Sequence, residues 1–278
     1  MASVRRWSRL GSRRPPRAKP RSVALAIHRS GHGPDLVLLH GWGLSSRVFA
    51  PLVARLSDTA TCLAIDLPGH GDSPAPTDDG LQAWADAVAA AIDGPAVWLG
   101  WSLGGLVALD VAHRYPHFVA GLCLTATTPC LQHRAGWSYG LSPDTIAATR
   151  SGLAQDYIAT VSQFLRINLR GTAVAAETAE ALIADLAERP PSTAGLAGGL
   201  SIIEHADLRD DLAAIGCPAW LVGGRLDRLA HPDAMRWMAS RLPQATIDVY
   251  ERAAHAPFIS QAAIFAADLA AFVTRCSP

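Results

Sequence analysis

Ala96-Val97-Trp98-Leu99-Gly100-Trp101-Ser102-Leu103-Gly104-Gly105-Leu106-Val107-Ala108 places an apolar run, a serine between glycines and a helix-forming stretch in direct succession. The first four residues predict a buried strand. Residues 103–114 predict a helix closed at Tyr115-Pro116, because a residue before proline avoids helical backbone. A turn this sharp crowds the positions two residues either side of Ser102. Gly100 and Gly104 remove the side chains that would collide, and Gly105 eases packing further. The serine hydroxyl then stands clear at a sheet edge, with the free N–H groups and positive dipole end of a helix behind it. This pattern points to a nucleophilic Ser102; the alternative is a tight glycine turn with an incidental serine.

The same rhythm extends outward. Leu36-Val37-Leu38-Leu39 and Cys62-Leu63-Ala64-Ile65 are further apolar runs, the second ended by Asp66-Leu67-Pro68-Gly69-His70-Gly71. Residues 81–92 carry Leu81, Trp84, Ala85 and Val88 at helical spacing, and residues 119–124 predict a fourth strand. Strands without alternation, separated by helices, imply a parallel sheet covered on both faces. From 130 to 205 the pattern turns helical, with Phe164, Leu165, Ile167, Leu169, Leu182, Ile183 and Leu186. Strand patterns return at 219–222 and 246–250, and a last helix is expected at 261–274. The expected fold is α/β: a mostly parallel central sheet with helices on both faces. Its core is residues 22–129 and 206–278, interrupted by a helical cap at 130–205 over the sheet's carboxyl edge.

Of the 278 residues, 50% are apolar and 17% charged, enough to bury a large core. Formal net charge is zero, with 24 basic and 24 acidic residues. That balance argues against nucleic-acid binding, yet it hides an asymmetry. Arg5, Arg6, Arg9, Arg13, Arg14, Arg17, Lys19 and Arg21 precede the first acidic residue, Asp35. Residues 1–21 are therefore expected to be a disordered basic tail, with a functional basic arm as the alternative. The five cysteines, 62, 123, 130, 217 and 276, lack metal-ligand spacing and fit reduced thiols in a cytoplasm, with no metal. No run approaches the ~18 apolar residues of a membrane span, and no signal-peptide stretch is present.

A serine needs a base to take its proton, and that base needs an acid to orient it. In the chain order Ser, Asp, His, the histidine should follow the last strand. His255 does so, in Ala253-Ala254-His255-Ala256-Pro257-Phe258. Among its competitors, His28 and His32 are expected before the sheet, His113 and His117 at a helix end, and His133 and His205 in or beside the cap. Asp227 follows the strand at 219–222, where the third member belongs. Asp207, Asp210 and Asp211 precede that strand, Asp248 lies inside a strand, and Asp233 suits a helix start. Oxyanion donors are expected from the backbone N–H groups of Leu103 and of Trp42, in the loop His40-Gly41-Trp42-Gly43. The Trp42 ring would line the pocket; a core aromatic is its alternative role. Asp66 to Ser73 also holds Asp, His and Ser, but its turn chemistry and place before the nucleophile mark it as structural.

Together these residues resemble the α/β-hydrolase superfamily over roughly 33–278. Within it, five segments resemble the pimeloyl-[acyl-carrier protein] methyl ester esterases of biotin synthesis. They are His40-Gly41-Trp42-Gly43-Leu44, residues 98–108, Thr128-Pro129-Cys130, Gly198-Gly199-Leu200 with Asp207-Leu208-Arg209, and Ala253 to Ser260. The resemblance implies a serine carboxylesterase without cofactor; a cytoplasmic monomer is expected. Its partner is acyl carrier protein bearing the pimeloyl methyl ester. It implies substrate contacts at Trp42 and on the cap segment Phe164, Leu165, Arg166, Ile167 and Asn168. The family's basic carrier-docking positions are not matched here, where Ala159, Gln163, Ala176 and Glu180 stand. Arg166 and Arg170, four apart, form a substitute patch or are two solvated helix arginines.

The triad pattern alone also admits a general carboxylesterase, a lactonase, a C–C bond hydrolase or a cofactor-free haloperoxidase. A non-catalytic binding protein of the same fold is the reading from another class.

Overall fold

The computed structural model describes residues 24–169, 172 and 176–277. In chain order the elements begin β1 (Ile27–Gly31), β2 (Asp35–Leu39), α1 (Ala50–Leu56), β3 (Thr61–Ile65), α2 (Leu81–Ala90), β4 (Ala96–Trp101), α3 (Leu103–Arg114) and β5 (Val119–Thr125). Four helices follow: α4 (Pro143–Gln155), α5 (Tyr157–Leu169), α6 (Ala176–Glu188) and α7 (Thr193–His205). The chain ends with β6 (Ala219–Gly224), α8 (Pro232–Ala239), β7 (Ala245–Tyr250), α9 (Pro257–Ser260) and α10 (Ala262–Cys276).

The seven strands lie in the order β1-β3-β2-β4-β5-β6-β7. Every neighbouring pair is parallel except β1 with β3. β3, β4 and β6 are buried along their whole length, which explains their unbroken apolar sequences. The edges read differently. β1, Ile-His-Arg-Ser-Gly, is exposed beyond its first residue. It places His28 inside the sheet, correcting the expectation that His28 lies before it. α2 turns Trp84, Ala85, Val88 and Ala89 into the core, and it packs on α3 while α1 packs on α10.

The four helices from α4 to α7 are inserted between β5 and β6. Their entry is not wholly helical, because single β-bridges join Gln132 to Leu141 and Arg134 to Trp137. Trp137 is buried there against Cys130 and Ala234, with its ring edge-on to Trp237 at 5.1 Å. Ser142 and Ser192 cap α4 and α7 by accepting the Thr145 and Gly195 N–H groups. The insertion is tied to the core where the Ser192 N–H donates to the Gly69 carbonyl at 2.7 Å and Arg189 pairs with Asp72 at 2.7 Å.

Candidate active site

Register brings four loops to one place. Leu39 of β2 pairs with Gly100 of β4, so the loop leaving β2 and the turn leaving β4 emerge side by side. β3 lies on one side of β2 and β4 on the other, which makes this the crevice where strand order reverses. β6 and β7, farther along the same edge, deliver Asp227 and His255.

Ser102 has φ 54° and ψ −116°, a left-handed backbone that a side chain adopts only when its surroundings impose it. Here they do: its N–H donates to the Thr125 carbonyl at 3.1 Å. Its own carbonyl accepts from the Gly105 N–H at 2.9 Å and from Thr127 Oγ1 at 2.8 Å. The two glycines are steric requirements. A Cβ on Gly100 would lie 2.6 Å from the Gly104 carbonyl oxygen, and one on Gly104 would run into the Leu39 carbonyl.

Asp227 is held by its Oδ1, which accepts the N–H groups of Leu229 at 2.8 Å and Ala230 at 3.0 Å. Its Oδ2 lies 2.9 Å from His255 Nδ1, and His255 Nε2 lies 3.0 Å from Ser102 Oγ. A carboxylate oxygen accepts, so Nδ1 carries the hydrogen and Nε2 is left to accept from the serine hydroxyl. All three residues are buried. The structure therefore brings Ser102, His255 and Asp227 into one hydrogen-bonded array, from positions up to 153 residues apart.

Of the two residues expected to supply oxyanion donors, Trp42 lines the cavity beside Ser102 and Leu103 follows Ser102 directly. Leu103 is the first residue of α3, where a backbone N–H has no partner in its own helix. Neither its N–H nor that of Trp42 has a protein acceptor among the described residues. Two histidines cross-tie this loop. His40 Nε2 accepts the Leu67 N–H at 3.0 Å, and His70 Nε2 accepts the Gly43 N–H at 3.3 Å. Accepting requires neutral rings, and burial supplies that state: it pushes His70 down to about 3 and His40 below its ordinary value. Asp66 anchors the facing loop. Burial would raise its carboxyl, but the Asp72 and Ser46 N–H groups hold it below the usual range. The segment from Asp66 to Ser73 thus carries turn and loop contacts, with Ser73 Oγ donating to the Asp66 carbonyl at 2.6 Å.

Trp42, Trp101, Phe164, Leu165, Leu182 and Ile259 enclose Ser102 and His255. They leave a cavity of about 10 Å³, the room of one water molecule. Phe164 meets the Trp42 ring edge-on at 5.6 Å. Of the expected cap contacts, the structure brings Phe164 and Leu165 to this cavity. It leaves Ile167 56% exposed, and Arg166 at the surface paired with Glu180 at 2.7 Å. The Asn168 side chain, Arg170 and residues 1–21 lie outside the described residues. Three of the competing acids are occupied elsewhere: Asp207 with Arg209, Asp248 with Trp220 Nε1, and Asp233 with Arg236. Leu182 and Ile259 were not anticipated, since apolar helix residues carry no mark of which face meets a pocket.

Among the described residues His28, Asp66 and Asp72 bring possible metal-ligand atoms within 4.8 Å of one another. Arg189 already pairs with Asp72, and the carboxylate oxygens of Asp66 accept backbone N–H groups.

The sequence profile described as "Alpha/beta hydrolase family" matches residues 36–268. A protein of Stenotrophomonas maltophilia (strain K279a) named pimeloyl-[acyl-carrier protein] methyl ester esterase is 40% identical over 253 residues, covering 91% of this chain and 97% of its own. One of the same name from Nitrosomonas europaea is 36% identical over 239 residues, covering 86% of this chain and 95% of its own. Among solved structures, an esterase from Exiguobacterium antarcticum superposes with a TM-score of 0.85 at 22% identity, covering 90% of this chain and 95% of that one.

Proposed function

The chain belongs to the alpha/beta hydrolase family, and on that footing we propose that it is a serine carboxylesterase acting on the methyl ester of pimeloyl-[acyl-carrier protein]. The observation that carries the chemistry is the array Ser102 Oγ to His255 Nε2 at 3.0 Å and His255 Nδ1 to Asp227 Oδ2 at 2.9 Å. Support for the substrate comes from the relatives of that name, at about 40% identity over most of the chain.

In this reading Ser102 Oγ attacks the ester carbonyl while His255 Nε2 takes the hydroxyl proton. Asp227 keeps His255 in the tautomer that can accept, and stabilises the imidazolium once it forms. The carbonyl electrons move onto oxygen, which the N–H groups of Trp42 and Leu103 meet. The tetrahedral intermediate collapses, His255 returns its proton to the leaving methoxide, and methanol departs. Water, deprotonated by His255, then attacks the acyl-serine, and the free carboxylate leaves with Ser102 restored. Trp42, Phe164 and Leu165 lie along the acyl chain. The carrier meets the protein on the α5 side of the insertion, where Arg166 is exposed. In this reading the enzyme works as a monomer in the cytoplasm. Among the described residues, no helix is long and apolar enough to cross a membrane.

The test is growth. Expression of the wild-type chain in a biotin-requiring strain that lacks its own esterase of this kind should restore growth without biotin, and Ser102→Ala should not. Soluble wild type that hydrolyses short esters but fails to restore growth points instead to a general carboxylesterase.

A further inference from the structure

Gly198 and Gly199 are adjacent and buried in α7, although glycine is the poorest helix former after proline. Their surroundings differ. A Cβ on Gly199 would lie 2.7 Å from Trp42 Cδ1 and 3.0 Å from Leu103 Cδ2. A Cβ on Gly198 would meet Asp79 and Trp84, each at 3.2 Å, away from both. Three residues before Gly199, the Leu196 carbonyl accepts the Trp42 Nε1–H at 2.9 Å. One short stretch of the insertion thus touches the side chains of the two residues whose backbone N–H groups form the proposed oxyanion hole.

We propose that Gly199, together with the Leu196 carbonyl, is a positioning element for both oxyanion donors. The inference rests on the oxyanion assignment above. Trp42 and Leu103 come from opposite sides of the crevice, one after β2 and the other after β4. Their side chains meet α7 where Gly199 has none. Both are buried, at 3% and 0% exposure, and Phe164 closes another side of the Trp42 ring. In a close-packed interior the rigid Trp42 indole, the nearer of the two, has little room to yield by side-chain rotation alone, so a Cβ here presses on the backbone that carries it. The Leu196 bond fixes the indole in its plane, and the Gly199 slot sets how near it and Leu103 approach each other. α7 therefore does more than cover the site: its seat on the core sets the distance between two N–H groups that must reach one oxygen. A shift of α7 would detune catalysis without touching Ser102, His255 or Asp227.

The test compares wild type, Gly199→Ala and Gly198→Ala full-length chains on methyl butyrate. It also measures inhibition by a trifluoromethyl ketone, which Ser102 converts into a tetrahedral adduct, against a planar amide of the same shape. Gly199→Ala should lower kcat by roughly 10²-fold, the effect of a small misplacement at a reacting centre, with KM little changed. It should weaken the ketone by a similar factor and leave the amide unaffected. Gly198→Ala, an equal methyl addition on the same helix, should match wild type in all three. Trp42→Phe, which deletes the indole donor but keeps the backbone N–H, is the second variant should Gly199→Ala not fold, and should show the same kcat and ketone loss. A Gly199→Ala enzyme that retains wild-type kcat and ketone affinity, or loses no more than Gly198→Ala, overturns the inference alone. A wild type that binds ketone and amide equally overturns the oxyanion assignment, and the inference with it.

Discussion

The indole Nε1 of Trp101 donates a hydrogen bond to the backbone carbonyl of His255 at 2.6 Å. Trp101 precedes Ser102 and His255 follows the last strand, so one bond joins the turn that carries Ser102 to the loop that carries the histidine proposed as its base. The Trp101 ring also packs edge-on against Phe258 at 5.1 Å.

Trp101→Phe should keep an aromatic ring while losing some buried volume, and remove the donor, leaving a buried carbonyl unpaired at a cost of about 1–3 kcal/mol for that group alone. Urea unfolding should register that loss. Esterase kinetics should show a drop in kcat of roughly 10-fold or more, because the base loses one restraint on its position. A stable variant with undiminished kcat would show that His255 is held well enough by Asp227.

Asp227→Asn should leave the Leu229 and Ala230 N–H groups an acceptor while depriving His255 Nδ1 of a carboxylate. The imidazole then favours the wrong tautomer, and kcat should fall by roughly 10⁴-fold with the fold intact. Steady-state rates beside a circular dichroism spectrum check both halves of this expectation.

His70→Gln addresses acid stability. The folded-state value of His70 is pushed down to about 3 from an ordinary 6.5. As pH falls below 6.5 the unfolded chain takes up a proton that the folded chain refuses. Stability is therefore fully present above 6.5 and lost from there toward 3. His40, lowered for the same reason, adds a loss of the same sign. Glutamine can accept the Gly43 N–H without titrating. The variant should flatten the decline by up to one proton, about 1.4 kcal/mol per pH unit. Urea midpoints between pH 7 and 4.5 measure the slope, and parallel slopes for variant and wild type would count against this role.

Phe164→Ala should widen the cavity of about 10 Å³ beside Ser102. The ratio of kcat/KM for a branched-chain ester to that for methyl butyrate should rise. The Trp42 ring, losing its edge-on neighbour, should tolerate bulk near the reacting carbonyl. An unchanged ratio would mean that another side chain limits access.

Legibility followed burial. β3 and β4 were plain as apolar runs because both faces of each strand are covered. The limits of α3, 103–114, were marked by the glycine turn and by Tyr115-Pro116. β1 left no such trace: an exposed edge strand of His, Arg, Ser and Gly is held by backbone bonds to β3, not by apolar alternation. α1, seven residues with only Leu52 and Leu56 buried, is too short to show a period.

The amino-acid sequence by itself determined the alternation of strand and helix, the strained turn at Ser102, and the order Ser, Asp, His along the chain. The first two are local matters of apolar period and of sterics, and the third is read directly along the chain. Only the tertiary structure decided what meets what. The Trp101 bond to His255 and the Trp42 bond to Leu196 each span 154 residues. The opening at Gly199 has meaning only once Trp42 and Leu103 are brought to it. Such contacts have no periodicity and no neighbouring residue to announce them, because they are made when the sheet is assembled and the insertion settles on its edge.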